Sequence, residues 1–107
     1  MNKYRNIRGR GFDSRKEQRR YNELLLLQRA GKIRGLERQK AFTVVPAQYI
    51  DGKCVFRAVK YVADFVYYEG DLYVVEDVKS EATRKNREYV IKKKLMLWTQ
   101  GILIRET

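Results

Sequence analysis

Two alternating stretches meet at a turn near the middle of the chain. Tyr61-Val-Ala-Asp64-Phe-Val-Tyr-Tyr-Glu69 and Leu72-Tyr-Val-Val-Glu-Asp77-Val-Lys79 carry the β-branched and aromatic residues of strands, and Gly70-Asp71 between them is a two-residue turn signal. With that turn Glu69 pairs with Leu72, and counting back sets Asp64 opposite Asp77. Period-two alternation puts Lys79 one diagonal step away on the same face and turns Glu76 to the other. Upstream the period is helical. Ser14 is a cap with Glu17 as its capping-box partner, and Tyr21, Leu24 and Leu25 form an apolar stripe with Glu17 one turn before it. Arg15, Arg19 and Arg29 lie away from its centre. The helix should run to about Ala30, where Gly31 can supply a left-handed stop.

Lys32 to Lys40 mixes Ile33 and Leu36 with charge and matches neither period. Ala41 to Val45 predicts a strand that stops at Pro46, with an irregular continuation to Ile50. Asp51-Gly52 is a turn, and a long strand from about Cys54 to Tyr68 follows. Beyond Lys79, Glu81 to Trp98 predicts a second helix with Ile91, Leu95 and Trp98 inward. Arg84, Lys85, Arg87, Lys92 and Lys93 fall outside, with Lys94 turned partly inward. Gly101 ends that helix, and Ile102 to Ile104 predicts a short buried strand returning parallel to its neighbour. The order is αβββαβ. It describes an α/β domain over residues 13–107, a mixed central sheet flanked by helices, behind a basic arm over residues 1–12.

Size and composition narrow the function. A chain of 107 residues with 44% hydrophobic content makes one domain and excludes wholesale disorder. Leu24 to Leu27 is its longest purely apolar stretch, far too short to span a bilayer. The first dozen residues have no apolar core, so no signal peptide is expected. The lone Cys54 cannot close an internal disulfide, which points to a structural thiol and a reducing cytoplasm. The absence of histidine removes His-based acid–base catalysis and most zinc sites. A net charge of +11 concentrates in the first forty residues and from Arg84 to Lys94, and calls for a polyanion. Nucleic acid fits better than an acidic membrane, because no amphipathic anchor helix is evident. The eight tyrosines and Trp98 read as core packing rather than stacking platforms for bases.

Charge then singles out the hairpin. Two carboxylates at roughly 5 Å and an effective dielectric near 20 repel by about 3 kcal/mol. A cation between them would relieve this. Asp64, Asp77 and the Val78 carbonyl suit magnesium or manganese, which prefer hard oxygen ligands and keep several waters. Lys79 would orient the attacking water or steady charge on the phosphate. The bland alternative is that Lys79 merely neutralises two surface acids, and D-x-K by itself is a weak pattern. Glu17 is either the capping partner alone or a third ligand, with Glu23 as its off-stripe runner-up. A register slip of one residue would put Glu76 in the place of Asp77. Arg8, Arg10, Arg15, Arg19, Arg84, Lys85, Lys92 and Lys93 are the candidate phosphate contacts.

With these residues in place, the chain resembles the PD-(D/E)XK, restriction-endonuclease-like nucleases, whose minimal core is αβββαβ. Phe12-Asp-Ser-Arg-Lys-Glu17, Tyr61-Val-Ala-Asp64-Phe-Val-Tyr67 and Val75-Glu-Asp77-Val-Lys79 look more narrowly like a small phage family of formally unknown function, similar to Holliday junction resolvases. The resemblance runs from Phe12 onward. It implies Glu17, Asp64 and Asp77 as metal carriers and Lys79 as the motif lysine. Ala63 stands where the superfamily name has proline, Ser80 follows the lysine where glycine is more usual, and the arm before Phe12 is short. The expectation is therefore a magnesium-dependent endonuclease of phage or prophage origin. Its substrate would be branched DNA such as a four-way junction, cut by a homodimer with two active sites. The rival from another class is a non-catalytic nucleic-acid-binding protein on the same fold.

Overall fold

The computed structural model describes residues 14–107. The arm, with Arg8 and Arg10, lies outside the described residues. Helix α1 spans Arg15–Arg29, and Ser14 caps it by accepting the Glu17 N–H at 3.1 Å. Six strands follow: β1 Arg34–Val45, β2 Gln48–Ile50, β3 Lys53–Phe56, β4 Val59–Glu69, β5 Leu72–Asp77 and β6 Arg105–Glu106. Between the last two lie helices α2 (Glu81–Arg84) and α3 (Arg87–Leu95) and a π-helical turn, Met96–Gln100. The main sheet has the order β1-β4-β5-β6, antiparallel except for the parallel β5–β6 pair, while β2 and β3 form a separate ribbon. The protein is thus one small α/β domain on a mixed sheet.

The central hairpin forms in the expected register. Gly70 takes φ +63, as the tight turn demands, and the ladder runs from Glu69↔Leu72 to Phe65↔Glu76. One apolar cluster lies under α1: Leu24, Ile33, Phe65, Tyr67 and Val74, with Tyr21 stacked on Phe65 at 5.8 Å. The other lies under α3 and the π turn and includes Val44, Tyr61, Ala63, Val66, Val75, Tyr89, Met96 and Ile104. Burying each such side chain contributes roughly 1.5–3 kcal/mol, so this two-sided packing holds the sheet between its helices.

Four expectations change. The ambiguous segment is the first part of β1. Arg38 occupies a half-buried slot there by laying its guanidinium over the Tyr21 ring at 5.1 Å, so a charged letter hides an inward position. The long strand is broken at Arg57-Ala58: the chain leaves β1 at Pro46, makes the β2–β3 ribbon and returns with Val59 opposite Val45. The second helix is interrupted because Asn86 caps a new start, its side chain accepting the Tyr89 N–H at 3.0 Å. That new phase, widened by the π turn, points Tyr89 and Met96 inward and leaves Ile91 and Trp98 57% and 86% exposed. Lys94 is likewise exposed, while Lys92 and Lys93 are half-buried. Finally, the returning strand is Arg105–Glu106 rather than 102–104. Ile104 is spent on the core, and the ladder closes through Thr107 N–H to Asp77 O (2.9 Å) and Lys79 N–H to Thr107 O (3.1 Å).

Candidate functional site

The β4–β5 ladder stops at Phe65↔Glu76, one step short of the two aspartates. There the strands part, and carboxylates take over from backbone carbonyls. Asp77 Oδ1 accepts the Asp64 N–H at 3.1 Å, and Asp64 Oδ2 accepts the Val78 N–H at 2.9 Å. Backbone N–H donors at these two points offset part of the repulsion between the paired acids. The same point is where the sheet changes sides. Phe65 and Tyr67 pack under α1, whereas the odd positions before them, Tyr61 and Ala63, pack under α3. Across from Asp64 in the β1–β4 register sits Gln39, at φ +54, a left-handed conformation that a residue with a side chain adopts at a cost.

Asp77 is 1% exposed, with the Tyr61 hydroxyl donating to Oδ2 and Lys79 Nζ 3.7 Å away. Burial pushes its carboxyl up to about 7. The Tyr61 bond and the Lys79 charge oppose the rise, and the Asp64 charge adds to it. Burial, then the charge of Asp77, raises the Tyr61 hydroxyl in turn, so it remains a donor. Lys79 also lies over the Tyr89 ring at 4.8 Å, which fixes its ammonium beside the site.

Glu17 comes from the first turn of α1 and is 3% exposed. The Gln39 amide nitrogen stands between two acids, 3.4 Å from Glu17 Oε2 and 3.5 Å from Asp64 Oδ1. Glu17, Asp64, Val78, Lys79 and Lys16 line a cleft of about 380 Å³, across which Lys16 Nζ reaches the Lys79 carbonyl at 3.2 Å. A second cleft, about 250 Å³, is lined by Lys60, Tyr61, Asp77, Lys79, Asn86 and Lys92 among others. Lys79 borders both.

The structure therefore brings Glu17 to Asp64 and Asp64 to Asp77, but turns Asp77 toward the second cleft. Among the described residues no three acidic side chains converge on one point. The donors fit a hard divalent cation in kind, being carboxylate and carbonyl oxygens around an open cleft. A polarised amide N–H already stands where positive charge is favoured.

Glu76 is fully buried on the α1 side, held by Arg20 at 2.6 and 3.1 Å, by the Tyr67 hydroxyl at 2.5 Å and by Thr107 at 3.1 Å. It does not take the place of Asp77. Glu23 is exposed and pairs with Arg20. Of the candidate phosphate contacts, Arg15, Arg19, Arg84 and Lys85 are exposed, and Lys92 lines the second cleft while pairing with Glu88. Lys93 is tied to Glu106 at 3.0 Å. Sequence reasoning missed Gln39, Lys16, Lys60 and Tyr61 at the site. Lys60 was open to discovery, since it lies four residues before Asp64 on the same strand. Gln39 carries no sequence signal, because only cross-strand register brings it there.

These features define a small α/β protein with a cleft of two carboxylates and two lysines at the split end of its sheet. The chain belongs to the DUF1064 family, described as a protein of unknown function, whose model matches residues 1–100. No curated protein and no solved structure matches it.

Proposed function

We propose that the chain is a divalent-metal-dependent DNA endonuclease, acting on branched DNA such as a four-way junction. One observation carries the reading: Asp64, where the hairpin splits, shares the Gln39 amide with the buried Glu17 of a flanking helix, and Lys79 stands beside the paired Asp77. Glu17, Asp64 and the Val78 carbonyl, at the first cleft, are the groups that would hold magnesium, or manganese in its place, and Asp77 would have to turn from the second cleft to join them. The ion, when bound, would polarise the phosphodiester and acidify a bound water. Lys79, bordering both clefts, would steady the charge that the reacting phosphate gains. Lys60 and Lys92, which line the second cleft, would hold the next phosphate along the strand, and Lys16 borders the first cleft. The preference for branched DNA, the phage or prophage setting and the cytoplasmic place of action follow from the resemblance and the single thiol.

The rival reading is a non-catalytic DNA-binding protein. One observation favours it, since the backbone N–H groups at Asp64 and Val78 account for the paired acids without a metal. Cleavage of a labelled four-way junction, run beside linear duplex of the same sequence with magnesium or with chelator, decides between them. Metal-dependent symmetric cuts near the branch point, abolished in Asp64→Ala while metal-free binding persists, support the nuclease. Binding without cleavage under either magnesium or manganese supports the rival.

A further inference from the structure

Gln39 is the residue at the site that neither the resemblance nor local periodicity accounts for. It lies within β1 opposite Asp64, with its backbone at φ +54. A positive φ at a non-glycine residue inside a strand costs energy, and such outliers gather where a side chain has to be aimed. Here the aim is at two acids: Nε2 is 3.4 Å from Glu17 Oε2 and 3.5 Å from Asp64 Oδ1. Both separations exceed the roughly 2.7–3.2 Å of a well-formed N–H···O bond, so the amide is loosely held. The residue is exposed, and the torsion that turns an amide plane is broad and nearly two-fold. A half-turn sets Oε1 where Nε2 stands.

The carboxylate oxygens nearby are not equally available. Asp77 is 1% exposed and has both engaged, Oδ1 by the Asp64 N–H and Oδ2 by the Tyr61 hydroxyl. Asp64 spends Oδ2 on the Val78 N–H, and its Oδ1 faces the Gln39 amide, as Glu17 Oε2 does. No third histidine, cysteine or acid joins Glu17 and Asp64 among the described residues. An amide carbonyl is itself a hard oxygen donor, which divalent cations accept beside carboxylates.

We propose that Gln39 is a ligand of the divalent cation. In the metal-free chain its Nε2 bridges Glu17 and Asp64; when the cation binds, the amide turns and Oε1 completes the set in place of Asp77. The inference rests on the metal-dependent reading above and names the side chain that finishes that site. It leaves Asp77 bonded to Tyr61, so no buried carboxylate has to rotate, whereas the exposed amide turns at little cost.

The test uses the full chain without DNA. Magnesium is titrated into nitrogen-labelled protein, and the Gln39 side-chain NH2 signals, assigned by their loss in Gln39→Leu, are followed by NMR. They should shift and exchange faster with water as Nε2 leaves the two acids. Manganese affinity, read from the spin resonance of the free ion, should fall about tenfold in both Gln39→Leu and Gln39→Gly. The glycine variant relieves the backbone, so its loss reports on the amide alone. Gln39→Glu, which keeps an oxygen in place, should bind at least as tightly as the wild type. Unmoved NH2 signals would overturn the inference, as would weakening in Gln39→Leu only, which bulk explains. Tighter binding in the leucine and glycine variants would also overturn it, making the amide a plug rather than a ligand. Manganese that binds the wild type, is lost in Asp64→Ala and is indifferent to Gln39 would keep the metal reading and sink this inference alone. A wild type that takes up no manganese at millimolar concentration would end both.

Discussion

Asp77 shows how burial and charge pull apart at a single residue. Its carboxyl is held near 7 against an ordinary 3.8, chiefly by desolvation. Between about pH 4 and pH 7 the folded chain keeps a proton that the unfolded chain has released. Stability therefore falls as pH rises through that window and levels off above it. In chelator, the urea midpoint of the wild type should drop from pH 5 to pH 8 more steeply than that of Asp77→Asn. The variant should be the more stable at pH 8, by on the order of 1–3 kcal/mol. Parallel profiles would contradict the burial argument. The same variant should lose cleavage, a trade of activity for stability. Gln39 offers a second test. At φ +54 the wild-type side chain strains the backbone. Gln39→Gly should thus be more stable than Gln39→Ala by about 1 kcal/mol in urea unfolding, the reverse of the usual order within a strand. Glu17 could not be assigned from the sequence because the two readings of it are compatible. Its backbone N–H serves the cap, and its carboxylate turns in toward Gln39.

Between elements, α1 is fastened to the sheet by one buried ion pair. Arg20 meets Glu76 in a two-point grip, with Tyr67 and Thr107 closing the acid's other contacts. The pair raises the Arg20 guanidinium further, and burial, followed by the Glu76 bond, lifts the Tyr67 hydroxyl to about 12. Removing one partner strands a buried charge. Arg20→Ala should cost about 3–5 kcal/mol in denaturant unfolding, and Glu76→Gln in that background should recover part of the loss. If the second change gave nothing back, Glu76 would not be the group left unpaired. The hairpin was legible because its turn and alternation act within a few residues. The helix after it was misjudged at Ile91 and Trp98 because Asn86 restarts the phase. A cap inside an apparently continuous helical pattern is easily overlooked.

For the whole molecule, the proposed function makes net charge the term that would draw DNA in and a few lysines the groups that would set its register. Taking away one lysine that neutralises a phosphate should lower the salt slope of DNA affinity by about one. Lys60→Ala and Lys92→Ala, both at the second cleft, should each do so when affinity is titrated against salt. Lys93→Ala should change the slope less, since its partner Glu106 is half-buried, whereas the Glu88 that pairs with Lys92 is exposed and easily released. An equal effect for all three would mean that the clefts do not order the phosphates.

The amino-acid order by itself determined the basic character, the α1 cap, the Gly70-Asp71 hairpin with Asp64 and Asp77 in line, and the coarse order of a helix, a run of strands, a helical crossover and a returning parallel strand. Each follows from interactions between residues close in the chain, or from a sum over all of them. Only the tertiary structure decided that Asp64 and Asp77 bond to each other's neighbouring backbone, that Asp77 turns to Tyr61, and that Gln39 stands between Asp64 and Glu17. It also decided that Tyr49, Ile50 and Phe56 remain in water. Those outcomes depend on which distant surfaces meet, and on a change of face at Asp64 that local periodicity does not encode.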